Sequence, residues 1–378
     1  MTKAPSGLVD RIRLARTEGV GPIGYARLLG RFGNAAAVLE ALPGLARTAG
    51  RARLSIPSRA ATEDEIAATV KRGGQFLTLG DPDYPALLAL LPDAPPVLVV
   101  LGDIRHLSGR SVGVVGGRNA SLNGQHIAAS LSADLASQGV TIVSGMARGI
   151  DGAAHEAALG KAGGVTVAAV ATGIDRPYPP QHEDLQARIA AQGAVVTEAP
   201  LGTEPQARHF PRRNRIIAGL SLGVVVVEAA RQSGSLITAR LALEAGREVF
   251  AVPGSPLDPR SQGSNDLIRR GAMLTETAED VLGALPQGPD DFSFSQARTI
   301  IAETLREEPP PPPAEAGKIR SALLAVLGPA PTSVDDLLRH CQFTTRAALV
   351  ATLLDLELGG FVESLPGNRV ALIANQGG

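Results

Sequence analysis

The 378-residue chain has no tryptophan, only 3% aromatic residues and a single cysteine, Cys341. One cysteine excludes an intramolecular disulfide and a cysteine-based zinc site. Scarce aromatics leave little material for stacking on bases, so any nucleic acid would be held mainly through its phosphates. Charge of one sign is also missing: 36 Lys and Arg stand against 37 Asp and Glu, a net charge of -1. A basic surface, if there is one, must be local. No apolar run reaches membrane-spanning length and the N-terminal MTKAPSGLVDRIRLAR has no signal-like core, so a cytoplasmic protein without a membrane partner is expected.

Two cofactor signatures are absent as well. There is no Gly-x-x-x-x-Gly-Lys-Ser/Thr, which argues against ATP hydrolysis, and Gly116-Gly117-Arg118 lacks the third glycine of a dinucleotide fingerprint. No serine has a histidine or other base that the sequence places beside it, so no catalytic residue and no cofactor is expected.

What is present is a folded chain, 44% hydrophobic, long enough for two or three domains. Its texture divides at 1–74, 75–285, 286–317 and 318–374. The first zone reads helical. Within it Gly19-Val20-Gly21-Pro22-Ile23-Gly24 precedes a helical stretch. This is either a helix-hairpin-helix that brings backbone N–H groups to a DNA phosphate or a glycine turn in a small bundle.

The second zone repeats short β-branched runs: Val112–Val115, Val140–Val143, Val165–Val170, Ala194–Val196, Val224–Val227 and Val249–Val252. Each is followed by a polar or glycine loop and then a helical stretch. Such runs are strands buried on both faces, and the alternation predicts a Rossmann-like, doubly wound α/β domain with a mostly parallel sheet. Ligands of such sheets lie beyond the carboxyl ends of the strands. The third zone is a proline-rich spacer around Pro309–Pro313. The fourth reads as three helices and a hairpin around Pro366-Gly367-Asn368, a winged-helix-like module. Its few basic residues favour protein contact over duplex DNA.

The loops at the predicted strand ends share one chemistry. They contain Gly116, Gly117 and Arg118, then Ser144, Gly145, Ala147, Arg148 and Gly149, then Ser233, Gly234 and Ser235. Glycines allow close approach of the backbone to a phosphate, helix N-termini add partial positive charge, and arginine offers a forked donor. The run Arg208 to Arg215 supplies local basicity, including Arg212, Arg213, Asn214 and Arg215, with Phe210 as a stacking platform. Because apolar helix follows at once, these arginines are expected to ring the sheet edge. Two of them could instead pair with acids and brace the loops. Asp151 and His155, four apart, lack a third metal ligand and read as a cap and a satisfied core histidine.

Several strings together resemble the DNA processing protein A family (DprA, also called Smf). They are Ser144–Asp151 with Ala154-His155, Thr172-Gly173-Ile174-Asp175 with Tyr178-Pro179, Phe210–Ile217, and Ser233–Ala239. The resemblance implies a single-stranded DNA-binding protein that protects incoming DNA and loads the RecA recombinase in natural transformation, and a homodimer through the central domain. It also implies that Arg118, Ser144 and Gly145 hold phosphates. Gly117 stands where the family often has Ser or Thr, which removes a hydroxyl and leaves the N–H. A nucleoside-monophosphate phosphoribohydrolase is the alternative. It needs a glutamate close behind the Ser233–Ser235 turn, and the next acid, Glu244, is too distant.

Overall fold

The computed structural model describes residues 6–48, 54–288, 313–341, 343–365 and 368–373. The expected spacer falls largely outside them. Two compact units result, one holding the sheet and the other joining the N-terminal helices to the C-terminal module.

The sheet unit follows from the β-branched runs. The six expected strands form as β3 (Ser111–Gly116), β4 (Thr141–Ser144), β5 (Thr166–Ala169), β6 (Ala194–Thr197), β7 (Gly223–Val227) and β8 (Glu248–Ala251). They pair in the order β6-β5-β4-β3-β7-β8, parallel throughout. Three further strands were not expected. β1 (Gly74–Thr78) and β2 (Val97–Gly102) extend one edge, with β2 antiparallel to β6, and β9 (Met273–Leu274) closes the other.

Val112, Val114, Ile142, Val225, Val227 and Phe250 are buried against α6 (Leu122–Ser137), α7 (Ile150–Leu159) and α12 (Ala278–Ala284). Each such side chain contributes about 1.5–3 kcal/mol relative to exposure. The opposite face is covered partly by α9 (His209–Leu220) and α10 (Gly234–Glu244). The strand order runs one way from β3 to β6 and the other way from β7 to β9, so the switch point lies between β3 and β7. Crevices for ligands open at such points.

In the other unit, α1 (Ser6–Ala15), α2 (Pro22–Phe32) and α3 (Ala35–Thr48) pack through Leu14, Tyr25, Leu28, Val38 and Leu42. The C-terminal module comprises α13 (Pro313–Val326), α14 (Val334–His340) and α15 (Arg346–Leu358) with a small sheet. That sheet holds the expected hairpin strands β11 (Val362–Leu365) and β12 (Arg369–Leu372), plus β10 (Thr332–Ser333) against β12. Residues 366 and 367 of the expected turn lie outside the described residues. The module is a winged helix, and Cys341 is buried in its core, as its apolar setting predicts.

Candidate nucleic-acid interface

A cavity of about 440 Å³ opens at the β3/β7 switch point. The loop after β3 contributes Gly116, Gly117, Arg118 and Asn119, and the turn into α10 contributes Ser233, Gly234 and Ser235. Asp151, Phe210, Arg213 and Asn214 form its other walls. A second cavity of about 240 Å³ adjoins it, bounded by Gly145, Ala147, Arg148, Tyr178 and Pro179. Arg118, Phe210, Ala147 and Arg213 belong to both.

The exposed guanidinium of Arg118 lies 4.8 Å above the Phe210 ring, and the tilted Tyr178 ring has its centroid 5.6 Å from that of Phe210. Such a cation–π contact presets the position of a charge without neutralising it. Arg148 is exposed at the rim of the smaller cavity. Arg212 is exposed too, but it lines neither cavity.

The run of arginines does not form a ring along the sheet edge as a whole. Helix α9 begins at His209, because Pro211 is tolerated in a first turn whose N–H groups need no helical partner. The helical period then sends Arg208 and Arg212 outward and buries Arg213 and Arg215. Arg213 donates from Nη1 to the carbonyls of Gly145 at 2.5 Å and Ala169 at 2.6 Å, tying the ends of β4 and β5 together. Burial brings its pKa down to about 10, although the Asp151 charge works against that. Arg215 is ion-paired with Glu198 at 2.5 Å. Of the two arginines that could pair with acids, Arg215 does so, whereas Arg213 braces the strands through backbone carbonyls. Asn214 donates to the Gly234 carbonyl at 3.3 Å and ties α9 to the turn into α10.

Several amides and hydroxyls expected to face a phosphate are already engaged. Ser144 is fully buried and its Oγ donates to the Val114 carbonyl at 2.6 Å, so it is a sheet residue and not a phosphate ligand. The Gly117 amide donates to the Glu228 carbonyl at 2.8 Å. The Gly145 and Ala147 amides turn to the buried Asp151 carboxylate, the latter at 3.3 Å. Burial raises the Asp151 pKa, and Arg213 and these amides oppose the rise. Asp151 therefore caps the loop before its own helix. At α6, the Glu228 carboxylate accepts from the Ser121 amide at 2.8 Å and from the Ser121 hydroxyl. The N-terminus of α6 thus holds an internal carboxylate, whereas the first amides of α7 go to the Gly117 and Ala147 carbonyls.

The N-terminus of α10 has only neutral partners, the Ser233 hydroxyl accepting from the Ser235 amide at 3.4 Å. Ser233 and Ser235 share a hydrogen bond at 2.7 Å, and Gly234 is exposed between them. Glu228 was not anticipated; an acid ending the run Val224–Val227 was the signal for it. Gly149 acts through conformation. Its φ is +79°, and a Cβ there would meet the Gly117 carbonyl at 2.4 Å and the Arg118 carbonyl at 2.8 Å. Only glycine lets the two loops pack.

His155 is buried, with Nδ1 donating to Thr166 Oγ1 at 2.7 Å while Thr166 donates to the Ile142 carbonyl. Burial lowers its pKa to about 3, so it is neutral. No group of three or more metal-ligating side chains occurs among the described residues. Nor is any helix there long and apolar enough to cross a membrane.

Sequence comparison places this geometry. A family model for DNA recombination-mediator protein A matches residues 75–286, more than half of the chain. The chain belongs to that family. Models of a DprA-like N-terminal HHH domain and a DprA winged-helix domain match residues 6–68 and 307–368. Protein Smf of Escherichia coli is 41% identical over 297 residues, covering 76% of this chain and 75% of its own. The crystal structure of DprA from Streptococcus pneumoniae superposes with a TM-score of 0.61 at 34% identity, covering 75% of this chain and 99% of that one. A Helicobacter pylori DprA structure, described for its single-stranded DNA binding mode, gives a TM-score of 0.50 at 30% identity. It covers 56% of this chain and 95% of the other.

Proposed function

We propose that this recombination mediator binds single-stranded DNA across the two adjoining cavities and delivers it to the RecA recombinase, acting as a cytoplasmic homodimer in natural transformation. The observation that carries the binding site is the exposed Arg118 stacked on Phe210 where the cavities meet. A strand laid there meets Arg118 and Arg148 as phosphate contacts and the α10 N-terminus at Ser233–Ser235, capped only by a neutral hydroxyl, as a third. Phe210 and Tyr178 offer a base the one aromatic surface in the region. Gly116, Gly117, Gly145, Ala147, Gly149, Arg213, Asn214 and Arg215 shape the loops, and Arg212 is a peripheral charge. The Helicobacter relative described for its single-stranded DNA binding supports the ligand class.

The hydrolase alternative finds little support in the cavity. Both Glu228 oxygens hold Ser121, and Asp151 holds the loop amides. The deciding experiment is a salt-dependent titration of the protein with a labelled oligothymidylate, beside an assay for ribose 5-phosphate release from nucleoside monophosphates. Tight, steeply salt-dependent binding without release is expected. Release without strand binding would overturn the reading.

A further inference from the structure

Arg118 sits in the loop Gly117–Ser121, and one residue holds both ends of that loop. Glu228, directly after β7, accepts the Gly117 amide on its carbonyl at 2.8 Å. Its carboxylate accepts the Ser121 amide at 2.8 Å on one oxygen and the Ser121 hydroxyl on the other. Ser121 in turn caps α6, its Oγ accepting from the Gly124 amide at 2.9 Å. Arg118 and Asn119 are exposed between these two holds.

Two local features accompany this clamp. Glu228 has φ +45°, in the left-handed region. Residues with side chains avoid that region and stay there only where their surroundings fix them. Here the conformation goes with a carbonyl and a carboxylate of one residue that both meet the same loop. The second feature is Gly124, in the first turn of α6. A Cβ there would lie 2.4 Å from the Glu228 Cδ and 2.6 Å from its Oε2, so glycine leaves the room that the carboxylate occupies.

The clamp also keeps the carboxylate from Arg118. Elsewhere on the larger cavity an acid does take up an arginine, Asp258 holding Arg260 at 2.8 Å. Arg118 makes no ion pair among the described residues and rests instead on the Phe210 ring at 4.8 Å.

We propose that Glu228 is the positioning residue of Arg118. By fixing both ends of the Gly117–Ser121 loop it sets the guanidinium against Phe210 before a strand arrives. Its importance for DNA rests on the reading of Arg118 as a phosphate contact. The expected sign opposes simple electrostatics. A negative charge beside a DNA groove repels the strand, so charge alone makes its removal strengthen binding. Loss of positioning weakens binding instead, because the strand must then order a loose arginine.

The test uses the full chain with Glu228→Gly and Glu228→Gln. Glycine tolerates the positive φ and keeps the carbonyl for Gly117 while removing the carboxylate. Glutamine keeps the shape but offers one acceptor oxygen where two are engaged. In anisotropy titrations with a labelled oligothymidylate, Glu228→Gly should bind roughly fivefold more weakly than the parent, the cost of ordering one long side chain. Glu228→Gln should fall between them. In the Arg118→Ala background, Glu228→Gly should leave the affinity unchanged, since the residue it positions is gone. The Nε–H resonance of Arg118, identified by its disappearance in Arg118→Ala, reads the position without DNA. The Phe210 ring current should displace it in the parent, and Glu228→Gly should return it toward the value of a free side chain.

A purely structural role would lower the urea midpoint but leave the resonance and the affinity of the folded fraction as in the parent, and that result would overturn the proposal. So would tighter binding by Glu228→Gly, or a loss as large in the Arg118→Ala background as in the parent. If Glu228→Gly moves the resonance while Arg118→Ala binds single strands as the parent does, the phosphate contact fails and the clamp stands.

Discussion

Arg118 rests 4.8 Å above the face of Phe210, and both residues border the two cavities at the carboxyl edge of the sheet. The charge is held in place by an aromatic ring instead of an acid, which leaves it available to a phosphate. Arg213 and Arg215, a few residues from Phe210, are buried in the scaffold.

Arg118→Ala should weaken binding to single strands of every sequence alike. It should also flatten the dependence of log affinity on log salt by about 0.7, the share of one phosphate contact on a single strand. Anisotropy titrations from 50 to about 200 mM salt measure both. An unchanged slope would show that Arg118 makes no phosphate contact.

Arg215→Ala should behave differently, because it leaves Glu198 without its buried partner. A loss of about 3 kcal/mol of stability is expected, read as a lower urea midpoint with an unchanged slope. Binding by the fraction still folded should keep the parental salt dependence.

Gly149→Ala forces a side chain into a left-handed position and toward the Gly117 and Arg118 carbonyls. A cost of about 1–2 kcal/mol or more follows from the conformation alone. A lower melting temperature should therefore accompany weaker single-strand binding, since the Arg118 loop must move. Gly139→Ala, at a positive-φ glycine with no atom within 4 Å of its Cβ, provides the comparison and should affect stability alone.

His155 makes stability depend on pH. Its folded pKa is lowered to about 3 by burial, below the usual 6.5, so between these values the unfolded chain binds a proton that the folded one refuses. Stability must then fall as the pH drops from 6.5 toward 3. The raised pKa of Asp151 acts in the opposite sense, favouring the folded state on acidification above the ordinary carboxyl value. Comparing urea midpoints of the parent and His155→Gln across this range isolates the histidine. The variant should lose less stability per pH unit.

The sequence by itself determined the six central strands, the winged helix and the cluster of polar loops, because each is written in local pattern. β-branched runs stay strands in any register, and glycine at 116, 145 and 149 restricts what the loops can be. β1, β2 and β9 escaped notice. β1 and β9 are edge strands whose pairing, more than their pattern, makes them strands, whereas β2 lies between β1 and β6 and is a buried apolar run like the central ones.

Only the tertiary structure decided which polar groups remain free. Ser144, Gly117 and Arg215 carry the right chemistry for a phosphate but spend it on Val114, Glu228 and Glu198. A buried donor must find an acceptor, and which acceptor lies nearest depends on residues 30 to more than 100 positions away in two of these pairs. The same holds for the hairpin at Gly21. Its glycines are legible in the sequence, but the Glu357 carboxylate that lies beside Gly21 and Gly24 comes from the other end of the chain.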